Sequence, residues 1–100
     1  SIQMQGEINH KLSYVFMIIS DYSTAKNKAE AALSAWKRLS DNRGLALTYT
    51  ALGRIEWHTN SKQNAFENFR LAENLFPENI AFYDKANLDN GLAAIYEDYQ

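Results

Sequence analysis

Glu7 and His10 stand three residues apart, which on a helix places a carboxylate and an imidazole one turn apart on the same face. Carboxylate-bridged di-iron bundles are built from that pair, but they use it twice and add two further glutamates. Here it occurs once, because the second histidine, His58, has Ile55 rather than an acid three residues before it. The two histidines do not form a His-x-x-x-His pair, and no third ligand is spaced for zinc. Cysteine is absent, which removes disulfides, zinc-thiolate sites and thiol nucleophiles together. There is no Gly-x-Ser-x-Gly elbow, and Asn42-Arg43-Gly44 offers a single glycine at a helix start where a phosphate loop needs several. The expectation is a chain without catalysis, metal or cofactor.

Binding chemistry is better represented. Thr50, Arg54, Trp57 and His58 recur at i, i+4, i+7 and i+8, so a helix carries them on one face. Arginine and tryptophan are the side chains most often found at the energetic centre of interfaces. That face is only partly separate from the apolar stripe Leu45, Tyr49 and Leu52. A plainer reading stands beside it: Trp57 packs on a neighbouring helix and Arg54 pairs with an acid such as Glu97.

The elements that position these residues follow from composition and period. The chain has 100 residues, 46% hydrophobic and 22% charged, the balance of a folded domain long enough to bury a real core. Its longest apolar run, Tyr14 to Ile19, is far short of the ~20 residues that span a bilayer. Net charge is −2, with six basic and four acidic groups in residues 1–50 and four basic and eight acidic in residues 51–100. No basic stripe of the kind nucleic acid requires is present. The densest basic segment, Lys26 to Arg43, is interrupted by Glu30 and Asp41 and reads as the solvated side of a helix.

One proline and four glycines leave little to interrupt helices. Apolar residues recur at helical spacing in five stripes: Leu12, Val15, Phe16, Ile19; Ala25, Ala29, Ala32, Leu33, Trp36; Leu45, Tyr49, Leu52, Ile55; Ala65, Phe69, Ala72, Phe76; and Leu88, Leu92, Ile95, Tyr99. Polar clusters containing Asp21, Asp41, Ser61 and Asn79 separate them, each with an oxygen able to cap the next helix. Pro77 ends the fourth. The pattern predicts helices over 7–20, 23–39, 43–58, 62–76 and 80–98. Asn90-Gly91 is kept inside the fifth, at a cost of about 1 kcal/mol for the glycine.

The reason is an internal repeat. A shift of forty residues aligns Leu12, Leu52 and Leu92, then Ser13, Gly53 and Ala93, then Val15, Ile55 and Ile95. It also pairs Ala25 with Ala65, Ala32 with Ala72, Trp36 with Phe76 and Ala51 with Gly91. Large and small residues alternate as stacked helical hairpins require, a small side chain letting the facing helix approach.

Tyr49, Leu52-Gly53, Ala65, Phe69, Ala72 and Pro77 resemble the consensus of the tetratricopeptide repeat (TPR). Glu56 departs from it, standing where tyrosine is usual, and the period of 40 is longer than the family's 34. The resemblance covers residues 6–100 and implies an all-α solenoid of antiparallel helix hairpins, with units about 6–45 and 46–85 and a half repeat 86–100. It resembles the long-period repeats of bacterial regulators, which implies a cytoplasmic fragment of a longer regulatory protein. Gln100 falls where the third unit should turn into its second helix, which leaves two readings, a terminal capping helix or a piece excised from a longer array, and the abrupt ends at Ser1 and Gln100 favour the second. A fifth helix without its partner would leave Leu88, Leu92 or Ile95 open, a surface through which two copies could pair.

In TPR proteins the inner helices line a concave groove that takes a protein or peptide segment. The resemblance places His10, Tyr14 and Met17 there from the first unit, Thr50, Arg54, Trp57 and His58 from the second, and Asn87 and Asn90 from the third. Arg54 would meet a carboxylate, Trp57 and Tyr14 would supply apolar area, and Thr50, Asn87 and Asn90 would orient backbone amides. The family's clamp for acidic chaperone tails needs lysine and asparagine where this chain has His10, Tyr14, Ala51, Asn87 and Gly91, which argues against that ligand. A module that only spaces or dimerises neighbouring domains is the alternative.

Overall fold

A computed structural model of the chain describes residues 1–59, 61–76 and 88–91. The fold is all-α. Four helices are described in full: α1 (Ile2–Ile18), α2 (Tyr22–Leu39), α3 (Asn42–His58) and α4 (Lys62–Leu75), followed by a helical segment at residues 88–91. Consecutive helices pack along their length through turns of two or three residues, which makes α1–α2 and α3–α4 antiparallel hairpins. The hairpins join where α3 packs on both α2 and α1. Within the described residues no strand occurs, and no helix is long and apolar enough to cross a membrane.

Helix starts recur every twenty residues, at Ser1, Asp21, Asp41 and Ser61, and this spacing produces the period of forty. Ser1 Oγ accepts from Met4 N–H (3.1 Å), Asp21 Oδ1 from Thr24 N–H (3.2 Å) and Asp41 Oδ1 from Gly44 N–H (2.9 Å), each satisfying a donor the helix cannot. Ser61 makes no such side-chain bond, contrary to the expectation for its cluster.

Helix ends are built as regularly. Ser20 (φ 64°) and Ser40 (φ 52°) are left-handed. Their N–H groups donate to Met17 and Lys37 carbonyls, while Asp21 and Asp41 N–H groups donate to Phe16 and Trp36 carbonyls. This double closure is a Schellman motif. Each aspartate thus closes one helix with its N–H and opens the next with its carboxylate. Phe76, held extended (φ −64°, ψ 132°) by the proline after it, ends α4.

The boundaries of α2, α3 and α4 agree with expectation to within a residue, but α1 begins five residues before the expected 7, because Ser1 caps it, and ends two before the expected 20. Gly91 lies in helix as anticipated. The remainder of the expected helix 80–98, with Leu92 and Ile95, lies outside the described residues. Leu88 is buried, so it is not part of an uncovered face.

Two apolar clusters make the core. Ala25, Ala29, Ala32, Leu33, Trp36, Leu45, Leu52 and Ile55 form the first, and Ala65, Phe69, Ala72 and Leu88 the second; Tyr49 packs against both. The first stripe read from the sequence needs correction, since Val15 and Ile19 are exposed and α1 buries Gly6 and Ser13 instead. The cause is Trp36. Its indole fills the space between α1 and α3, so close that a β-carbon on Gly6 would lie 2.8 Å from the ring, and one on Gly44 closer still. Trp36 Nε1–H donates to Thr48 Oγ1 (3.0 Å), which satisfies both buried polar groups.

Candidate functional site

The C-terminal turns of α3 hold Arg54, Trp57 and His58, and the helical segment at 88–91 faces them. Between the two lies a half-open cavity of about 200 Å³ lined by Arg54, Trp57, His58, Phe69, Asn90 and Gly91. Phe69 forms its floor because the helices on either side carry glycine: a β-carbon on Gly53 or on Gly91 would stand 2.5 Å from the ring. The wall is aromatic and cationic. Trp57 leans on the second core cluster with the Lys62 ammonium 5.2 Å from its ring centroid, within cation–π range. The His58 ring stacks on Tyr22 at 5.4 Å and 7°, tying the rim to the start of α2.

A second cavity of about 400 Å³ lies where the N-terminal halves of α1 and α3 meet, lined by Gln3, Glu7, His10, Lys11, Trp36, Asp41, Arg43, Gly44 and Leu47. Its charges balance, with Lys11 and Arg43 against Glu7 and Asp41. His10 Nδ1 is 3.3 Å from Thr48 Oγ1, which already accepts from Trp36; with the ring proton on Nε2, the hydroxyl donates onward to His10. The Tyr14 ring meets His10 edge-on at 5.3 Å.

Of the nine residues read from the sequence, Arg54, Trp57, His58 and Asn90 therefore share one cavity, His10 lines the other, and half-buried Tyr14 touches His10. Two are misplaced. Thr50 is 3% exposed and its hydroxyl donates to the Ala46 carbonyl (2.9 Å), so it cannot orient a ligand. Met17 packs on the first core cluster, because α1 turns that face toward α2 and α3. Asn87 lies outside the described residues. Trp57 packing on α4 is the part of the plainer reading that also holds.

Other residues were missed. Phe69 and Gly91 read as interior positions of the repeat, in register with Ala29 and Ala51, and nothing in the sequence marked them as lining a cavity. Arg43 read as solvated charge and Asp41 as a helix cap, and Lys11 was not singled out. Glu56 has its own explanation: its carboxylate, 7% exposed, binds Lys26 Nζ at 3.0 Å. The hydrogen bond and the charge of Glu56 raise the Lys26 pKa above the ordinary lysine value. Glu56 also accepts at its carbonyl from Ser61 N–H (2.9 Å) in the turn to α4. Among the described residues no three His, Cys, Asp or Glu side chains gather as metal ligands.

No protein-family model matches the chain, and neither does any curated protein or solved structure.

Proposed function

We propose that this chain is a TPR-like helical-repeat scaffold, without enzymatic activity, that binds a protein or peptide segment across its odd-numbered helices, as part of a larger regulatory protein. The observation that carries the reading is the convergence of Arg54, Trp57, His58 and Asn90 on one cavity floored by Phe69. An aromatic wall, a guanidinium and a side-chain amide around an apolar floor suit a segment that brings an apolar side chain flanked by a carboxylate. The order of helix contacts, with α3 against both members of the preceding hairpin, supports a stacked array. Because the hairpins are fixed by caps, Schellman turns and Trp36, a bound segment is ordered at little cost to the host.

Selection from a random peptide library displayed on phage tests this. Sequences enriched on the wild-type chain and lost on His58→Ala/Asn90→Ala support the site; both positions are exposed and lie outside the two core clusters, and thermal unfolding of the variant reads any effect of losing the Tyr22–His58 stack. Enrichment equal on both, or none on either, favours the alternative, a spacer or dimerisation module. The exposed apolar side of α1 is the observation on that side.

A further inference from the structure

α3 packs on α1, α2 and α4, which leaves it little free surface. Between Arg43 and His58 the side chains that are not buried are Leu47, Tyr49, Arg54 and Trp57. At about 100° per residue, Arg43, Leu47, Arg54 and His58 fall within about 60° of arc. They form one open ridge along the helix, while Tyr49 turns to the core clusters. The two cavities lie at the two ends of this ridge. Arg43 and Leu47 border the larger, toward α1, and Arg54 and His58 border the smaller, toward the segment 88–91.

The ridge carries two guanidiniums and no carboxylate. No described residue lining the smaller cavity is acidic, and the Lys62 ammonium stands beside its Trp57 wall. At the larger cavity Glu7 and Asp41 offset Lys11 and Arg43. Those two acids are engaged within their own helices, Glu7 Oε1 accepting from the Gln3 amide (3.4 Å) and Asp41 Oδ1 from Gly44 N–H (2.9 Å). A cationic ridge on a chain of net charge −2 favours a partner that is locally acidic. On the footing of the smaller cavity's binding role, we propose that the bound segment is extended and acidic and crosses α3 to enter both cavities. Its apolar anchor sits over Phe69 with one carboxylate at Arg54, and a second carboxylate meets Arg43. The two arginines are eleven residues apart, about 16 Å along the axis. Five residues of extended chain, at about 3.3 Å each, span that distance. The long arginine side chains absorb about a residue either way, so two acids about four to six positions apart fit. A segment confined to the smaller cavity needs only one.

Peptides enriched on the wild-type chain from the displayed random library are expected to share two acids at that separation. Enrichment on Arg43→Gln should keep only the acid beside the apolar anchor, and Arg43→Lys should restore the second. A synthetic peptide of the enriched sequence, titrated calorimetrically, is expected to bind Arg43→Gln about three- to fivefold more weakly than wild type. Replacing its second acid by glutamine should cost as much on wild type and nothing further on Arg43→Gln, the signature of a direct pair. The peptide substitution on wild type reads the contact even where Arg43→Gln alters folding. Binding that needs His58 and Asn90 but ignores both Arg43 and the second acid overturns the bridging segment and leaves the smaller cavity's role standing. So does enrichment of basic, neutral or singly acidic peptides that still require His58 and Asn90. No enrichment, or enrichment untouched by His58→Ala/Asn90→Ala, overturns both.

Discussion

Gly91 lies against Phe69 so closely that a β-carbon on it would stand 2.5 Å from Cζ of the ring. Gly53 bears the same relation to Phe69 from α3. Forty residues earlier the three places are filled by Ala51, Ser13 and Ala29, all buried. One unit thus shares its volume among three small side chains, and the next concentrates it in one ring between two glycines. The cavity exists because that ring is the floor.

Gly91→Ala is expected to destabilise the fold by up to about 2 kcal/mol: overpacking costs about 1–3 kcal/mol, offset by a helix-propensity gain near 1 kcal/mol. Combined with Phe69→Leu, the same change should cost less than the two single changes together. A double-mutant cycle in urea measures the coupling, and strict additivity would show that ring and glycine do not touch.

Ser40 adopts a left-handed conformation that glycine takes without penalty. Ser40→Gly is expected to stabilise by about 0.5–1 kcal/mol, less than the full left-handed cost because glycine also loses more entropy on folding. The midpoint of thermal unfolding checks this, and a fall would mean that the Ser40 side chain contributes something the backbone geometry does not show.

Lys26 has its pKa raised by the hydrogen bond and charge of Glu56. A lysine whose folded pKa exceeds its unfolded value stabilises fully below about 10.4 and loses that contribution as pH rises through the folded value. Lys26→Met leaves the nearly buried Glu56 carboxylate without this cation and is expected to cost about 1–2 kcal/mol at pH 7, the exposure of Lys26 keeping it below a fully buried pair. The difference between wild type and variant should shrink as pH rises above about 10.4, the unfolded lysine value. A difference independent of pH would assign the effect to packing alone.

Trp36 joins α1, α2 and α3 at once. Trp36→Phe keeps an aromatic ring but removes the N–H that serves Thr48, and should cost about 1–3 kcal/mol. Thr48→Val in the same chain should recover part of it, as both polar groups are then gone. Denaturant unfolding of the wild type and these two variants decides.

Much of the architecture was legible because period, caps and proline agree. Asp21 and Asp41 announce α2 and α3, Pro77 ends α4, and a shift of forty places Gly91 in helix. What was misread comes from α1. A period of apolar residues says that a helix has an apolar face, but not which side a neighbour covers. In α1 the close approach of Trp36 requires Gly6, Ser13 is buried on the same side, and the bulky Val15 and Ile19 face outward. The site was partly legible for the same reason. Arg54, Trp57 and His58 sit at the open end of α3, where nothing displaces them. Thr50 shares their spacing but lies one turn nearer the hairpin contacts, where its hydroxyl bonds to Ala46. Glu56 departs from the consensus that its repeat resembles, and only its contact with Lys26 in the folded chain gives the reason.

We propose that the cavity of Arg54, Trp57, His58 and Asn90 holds a protein segment. The most direct measurement is isothermal titration of a library-selected peptide into wild type and into His58→Ala/Asn90→Ala, with both chains shown to melt alike. Binding to the wild type that weakens at least tenfold in the variant, with Arg54, Trp57 and Asn90 resonances shifting on titration, is the predicted result. Equal affinity for both chains, or shifts confined to the exposed side of α1, would contradict it.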